Sequence, residues 1–171
     1  ECDKATQNRL RAESIFWTVG AKQVGKAARC GWQEVVIPAL RRGARLWPFD
    51  GALASLDSNT LTIAETYPAE AYRHIGIQGS VRKRTQDGRM AAGRSLLAWA
   101  STHGVRVDRE IEGRVHDGFG PRGDGEDAFD ALAGLCGMIE VADGRRAEMP
   151  AGRIALGERE GWILGQTDLP L

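Results

Sequence analysis

The sequence predicts an α/β fold, and three observations carry that reading. A β-branched run, Thr60-Leu61-Thr62-Ile63-Ala64-Glu65, preceded by Ser58-Asn59, has the composition of a strand. Longer stretches place apolar residues at steps of three and four, as helices with one buried face do. The two patterns follow one another along the chain with glycine-containing turns between them, which suits a sheet covered by helices.

Taken in order, Asp3–Glu13 is polar, rich in helix formers and expected to be helical. Ile15–Val19 reads as a short strand closed by Gly20. From Gln23 to Arg42, residues such as Val24, Ala28, Trp32, Val35 and Ala39 form a helical stripe. Pro38 bends or breaks that helix near its end, and Gly43 stops it. Ala44–Phe49 is a strand candidate ended by Asp50-Gly51, and Ala52–Asn59 is a loop with some helical character. After the strand Thr60–Glu65, Thr66 caps a helix with Pro68 in its first turn, running to His74 or Ile75 and closed by Gly76. Gly79–Asp87 is a basic connection bearing Arg82, Lys83 and Arg84. Helices follow over Arg89–His103 and Asp108–Asp117. A glycine-rich loop, Gly118–Gly125, then delivers the chain to a helix ending near Ala142. Ile154–Leu156 and Trp162–Leu164 are two short strand-like pieces.

Basic and acidic residues balance at 23 each. No net field therefore draws the chain to nucleic acid or to an anionic membrane, and a polyanion would have to be held by local patches. At 171 residues the simplest organisation is one domain, 1–171. Cys2, Cys30 and Cys136 are odd in number and without ligand spacing, and read as reduced thiols of a cytoplasmic protein. No apolar run reaches the roughly 18–20 residues of a membrane span, and no signal peptide opens the chain. A helix-like opening without an initiator Met is expected of a chain that starts partway into a longer protein.

The chemistry concentrates in Gly123-Asp124-Gly125-Glu126-Asp127-Ala128-Phe129-Asp130-Ala131-Leu132, where glycines and acids give way to an apolar helix. Asp127 and Asp130, three apart, leave the same side of that helix and repel each other unless a cation or a donor sits between them. The plainer reading makes Asp124 an N-cap with Asp127 in the capping-box position and Glu126 a complement to the helix dipole. Asp130 lies past the orphan amides and does not fit a cap. His74, His103 and His116 lack metal spacing, the tryptophans suit a core, and the Arg82-Lys83-Arg84 run suits a solvated connection.

Three segments carry a resemblance. Glu65-Thr66-Tyr67-Pro68-Ala69-Glu70, then Gly125-Glu126-Asp127-Ala128-Phe129-Asp130-Ala131-Leu132, then Glu160-Gly161-Trp162-Ile163 resemble, in consistent order, an uncharacterised family of predicted nucleases with an RNase H-like fold. The second segment also resembles the start of the last core helix in RuvC-type Holliday-junction resolvases. The resemblance implies a mixed sheet flanked by helices. It implies Glu65, Asp127 and Asp130 as catalytic carboxylates chelating Mg²⁺ or Mn²⁺, and nucleic acid as the partner of a two-metal phosphodiesterase. Hard oxygen ligands suit those ions, and two of them can activate water and neutralise the leaving oxygen.

One departure stands against it. The family's first strand bears a metal-bridging Asp, whereas Ile15–Val19 contains no acid. The chain is therefore expected to be an N-terminally incomplete copy of that domain. Two other readings remain open: a non-catalytic binding or assembly module, and a regulatory domain that binds a nucleotide.

Overall fold

The computed structural model describes residues 4–7, 11, 24–77 and 82–169. They fall into two compact units, each described by itself. The first takes residues up to Glu65 and again from Ala147, and the second runs Thr66–Arg146. The helix expected over Asp3–Glu13 lies largely outside the described residues, and the strand Ile15–Val19 lies wholly outside them.

The α/β expectation is corrected. Among the described residues helix takes 52% and strand 5%, with no mixed sheet for helices to flank, and the RNase H-like fold reading falls with it. Among the described residues the one sheet has two strands, β1 (Arg45–Leu46) and β2 (Thr62–Ile63). They are parallel, with Arg45 opposite Thr62 and Leu46 opposite Ile63. A further parallel bridge joins Glu65 to Ile163. The physical reason is a short neighbour. Trp47 N–H still donates to Ile63 O at 2.9 Å, but Pro48 follows with no N–H to give. The β-branched composition of Thr60–Glu65 fits a pleated surface, but it cannot extend a ladder beyond its partner. Ile154–Leu156, expected as a strand, is the start of helix α7 (Ile154–Glu160) in the same unit; three apolar residues do not distinguish the two states.

The first unit also holds the helix expected over Gln23–Arg42, in three pieces: α1 (Val24–Gly31), a π turn (Trp32–Val36) and α2 (Ile37–Leu40). Pro38 cannot donate to the carbonyl of Glu34, and its ring crowds that oxygen. The wider turn just upstream, with Ile37 N–H on Trp32 O, accommodates this, so the helix continues past the proline. Gly43, at φ 93°, ends it. Trp47, Met149, Trp162, Ile163 and Leu164 are buried in this unit. Glu148 Oε2 ties two of its turns, accepting from Trp47 Nε1 at 2.7 Å and from Leu53 N at 2.8 Å.

The second unit is helical and close to expectation: α3 (Pro68–His74), α4 (Gln86–Thr102), α5 (Arg109–His116) and α6 (Gly125–Ala142). Pro68 opens α3, although Tyr67 rather than Thr66 is its N-cap. Thr85 caps α4 by accepting from Gly88 N, and Asp108 caps α5 by accepting from Glu110 N. Helix α6 packs against α3 and α4 over a core that includes Tyr72, Leu96, Trp99, Phe129 and Ala133. Its small residues permit close approach. A Cβ at Gly134 would meet Thr66 Oγ1 at 2.9 Å, and one at Gly137 would meet Ala71 Cβ at 3.0 Å. Among the described residues no helix is long and apolar enough to cross a membrane.

The α4–α5 contact gives a direct test. A Cβ on Gly93 would lie 2.6 Å from Val115 Cγ1 and 3.1 Å from Val115 O. Alanine gains up to ~1 kcal/mol of helix propensity there, whereas overpacking costs ~1–3 kcal/mol. Gly93→Ala is expected to lower stability in urea unfolding; a gain would show that the two helices separate freely.

Candidate functional site

Helix α6 places acids and core on the same turns. Phe129 is fully buried, so Asp130, the next residue, leaves the helix at the margin of the core with its side chain 19% exposed. Tyr72 of α3 donates its hydroxyl to Asp130 Oδ1. Lys83 Nζ donates to Asp130 Oδ2 at 2.5 Å and lies 3.3 Å from Glu126 Oε1. The same ammonium sits 6.0 Å from the centroid of the Tyr72 ring. The cation among these acids is thus a lysine.

Local structure explains how Lys83 arrives. It lies in the turn before α4, and its carbonyl accepts from Arg89 Nη1 at 2.6 Å. The Arg89 guanidinium, 0% exposed, also donates from Nε to Gly118 O at 2.7 Å and from Nη2 to Gly120 O at 2.6 Å. Those carbonyls belong to the loop that delivers the chain to α6. A Cβ at Gly125, the first residue of α6, would meet Arg89 Nη2 at 2.8 Å and Phe119 O at 2.9 Å. Glycine is required there by the approach of the guanidinium.

Burial pulls the Lys83 ammonium down, but the hydrogen bonds and charges of Asp130 and Glu126 outweigh it and hold the group above the ordinary lysine value. Tyr72 is raised well above the usual phenol range, first by burial and then by its bond to Asp130, so it stays a donor.

Of the three carboxylates that the resemblance implies, Asp130 lies within this cluster. Asp127 stands exposed on the same helix and makes no hydrogen bond or ion pair among the described residues. Glu65 belongs to the first unit, is exposed, bridges Ile163 through its backbone and accepts from Leu164 N at 2.9 Å. The capping box does not form. Asp124 takes the N-cap position without a side-chain cap bond, and pairs with Arg122 at 2.8 Å. Among the described residues no three His, Cys, Asp or Glu side chains group as a metal site would. One oxygen of Asp130 takes the Tyr72 hydroxyl and the other takes Lys83, so the arrangement does not fit Mg²⁺ or Mn²⁺.

The same unit holds a cavity of about 350 Å³ whose walls include Arg114, Asp117, Phe119, Arg122, Asp124 and Gly125, and none of Tyr72, Lys83, Glu126 and Asp130 lines it. Gln86 Nε2 donates to Asp117 Oδ1 at 3.0 Å, and Arg122 is paired with Asp124. Arg114 is exposed and makes no ion pair among the described residues. Phe119, at φ 58°, holds a conformation that non-glycine residues seldom adopt.

Sequence reasoning missed Lys83 and Tyr72 and gave Glu126 only a dipole role. A signal for Lys83 was present: the other lysines, Lys4, Lys22 and Lys26, all lie near the start, and every later base except this one is arginine or histidine. Comparison with family models, curated proteins and solved structures returned no match for this chain.

The cluster has a signed pH dependence. Because Lys83 and Tyr72 are both raised in the fold, their contribution is complete below their unfolded values, near ~10. It is lost as pH rises through the higher folded values. Urea unfolding at pH 8 and pH 11 is expected to show stability falling with pH, less steeply in Lys83→Met. That variant should also lose on the order of 1 kcal/mol at pH 8. Equal slopes in the two proteins would remove Lys83 from the cluster.

Proposed function

We propose that the chain binds phosphate-bearing ligands of the nucleic-acid class at the cavity of the second unit, as a binding module rather than through a metal centre. The observation that carries this reading is Arg114 in the cavity wall, exposed and without an ion pair among the described residues. Arg114 is left to meet an anion, while on another side of α6 Lys83 neutralises Asp130 and Glu126. A phosphodiester is recognised through its charge, and an arginine can offer it a two-pronged donor. Phe119 in the same wall supplies an aromatic surface that tolerates any base. With the chain neutral overall, such binding is local, modest and salt-dependent. The setting belonging to this reading is the cytoplasm, where the Cys30 and Cys136 thiols are free.

A second reading is hydrolysis of the bound phosphodiester. It is supported by the three motifs, from Glu65 to Trp162, that resemble predicted nucleases. Asp127 also favours it, being an acid with no partner among the described residues, three positions from Asp130.

Fluorescence anisotropy with labelled single-stranded DNA and RNA at low salt separates the readings from each other and from failure. Binding is expected, with Arg114→Ala weakening it several-fold and lowering the salt slope by about one. Absence of binding to either strand would end the proposal. Product formation in Mg²⁺ or Mn²⁺ that Asp127→Asn abolishes at unchanged Tm would establish the second reading instead. The exposed Asp127 has no side-chain partner to lose among the described residues, so its substitution is expected to leave the fold intact.

A further inference from the structure

We propose that Arg89 is the positioning residue for Lys83 and for the loop before α6. A single buried guanidinium fastens both the turn that supplies the Lys83 ammonium and the loop that walls the cavity and opens α6. The inference takes its site from the reading above.

A fully buried charge is costly unless it is hydrogen-bonded. Each of the three guanidinium nitrogens of Arg89 meets a main-chain carbonyl: Gly118 O at Nε, Lys83 O at Nη1, and Gly120 O and Arg122 O at Nη2, at 2.7, 2.6, 2.6 and 3.2 Å. The choice of acceptor matters. A carboxylate partner can move on its own side-chain stem, whereas a carbonyl is part of the backbone. Satisfying this guanidinium therefore fixes where residues 83, 118, 120 and 122 lie relative to one another.

The loop needs such a tie. Gly118, Phe119 and Gly120 run at φ 58°, 58° and 82°, and the middle residue pays a steric cost that persists only where its surroundings hold it. The turn is equally tight, since a Cβ on Gly88 would lie 2.0 Å from Arg82 O. Lys83 is thus held at both ends, its carbonyl by Arg89 and its ammonium by Asp130. The planar five-donor fork spans these acceptors. A lysine ammonium, a compact point charge, does not.

The test reads Lys83 directly. Protein labelled with ¹³Cε-lysine is titrated through the alkaline range by NMR, with a blocked lysine peptide as the reference. In the wild type Lys83 should titrate above that peptide. In Arg89→Met, and equally in Arg89→Lys, it should fall back toward it while circular dichroism keeps its helical signal. If stability drops in both variants but the Lys83 titration does not move, Arg89 is merely structural and the inference is overturned. Should either variant fail to fold, the wild type decides through the Arg89 Nε–H. Protection from solvent exchange at least tenfold beyond free arginine supports the tie, and exchange at the free rate refutes it. No arm measures ligand binding, so a chain that binds no oligonucleotide defeats the function above without touching this result.

Discussion

The second unit depends on an ammonium placed against two carboxylates. Helix α6 must bury Phe129, Ala133 and Cys136 to give this unit a core, and that obligation carries Asp130 to the edge of the apolar region. An anion there is partly desolvated. It persists because each oxygen has a partner, Tyr72 on one and Lys83 on the other. Both partners are tied to the elements that pack on α6. Tyr72 stands in α3 and in the same core, and Lys83 precedes α4 by three residues. Solvating one carboxylate thus joins three of the four helices described in this unit.

How much of this was legible in the sequence depends on the range of the interaction. Local signals were. Pro68 in the first turn of α3, the helix beginning beside Asp108, and the glycine-to-apolar change at Gly125 are decided by neighbours within one turn, and each lies where the pattern placed it. Sheet formation was not, because a strand's length is set by its partner. Thr60–Glu65 has strand composition, yet it pairs over two residues beside a chain that turns into Trp47-Pro48. Ile154–Leu156 failed for another reason: a three-residue apolar run carries no period, and here it begins a helix.

The candidate site divides along the same line. Asp127 and Asp130 on one helix face were legible from a spacing of three. The cation between Asp130 and Glu126 was not, since it arrives from 47 residues away out of a basic run that usually faces water. The stripe from Val24 to Leu40 shows the converse limit. Its period is helical and the helix forms, but no residue of the π turn or of α2 is buried, and Trp32 and Val35 stand 47% and 62% exposed. Periodicity names the face of a helix, and says nothing of what covers it.

The identity of the counter-ion is what separates the two functional readings. A divalent ion needs several oxygens around it and would turn the freed electron pairs of Asp130 toward itself. Tyr72 competes for that role, because a phenol held far above its usual range can only donate, and it spends one oxygen of the carboxylate in doing so. An ammonium needs less: two carboxylates and a ring face satisfy it, and its four-carbon stem ties it to the backbone that Arg89 fixes. A tethered monovalent cation neutralises without exchanging, which is the behaviour of a binding surface. Of the three acids at the start of α6, Asp127 is the one that the lysine does not reach.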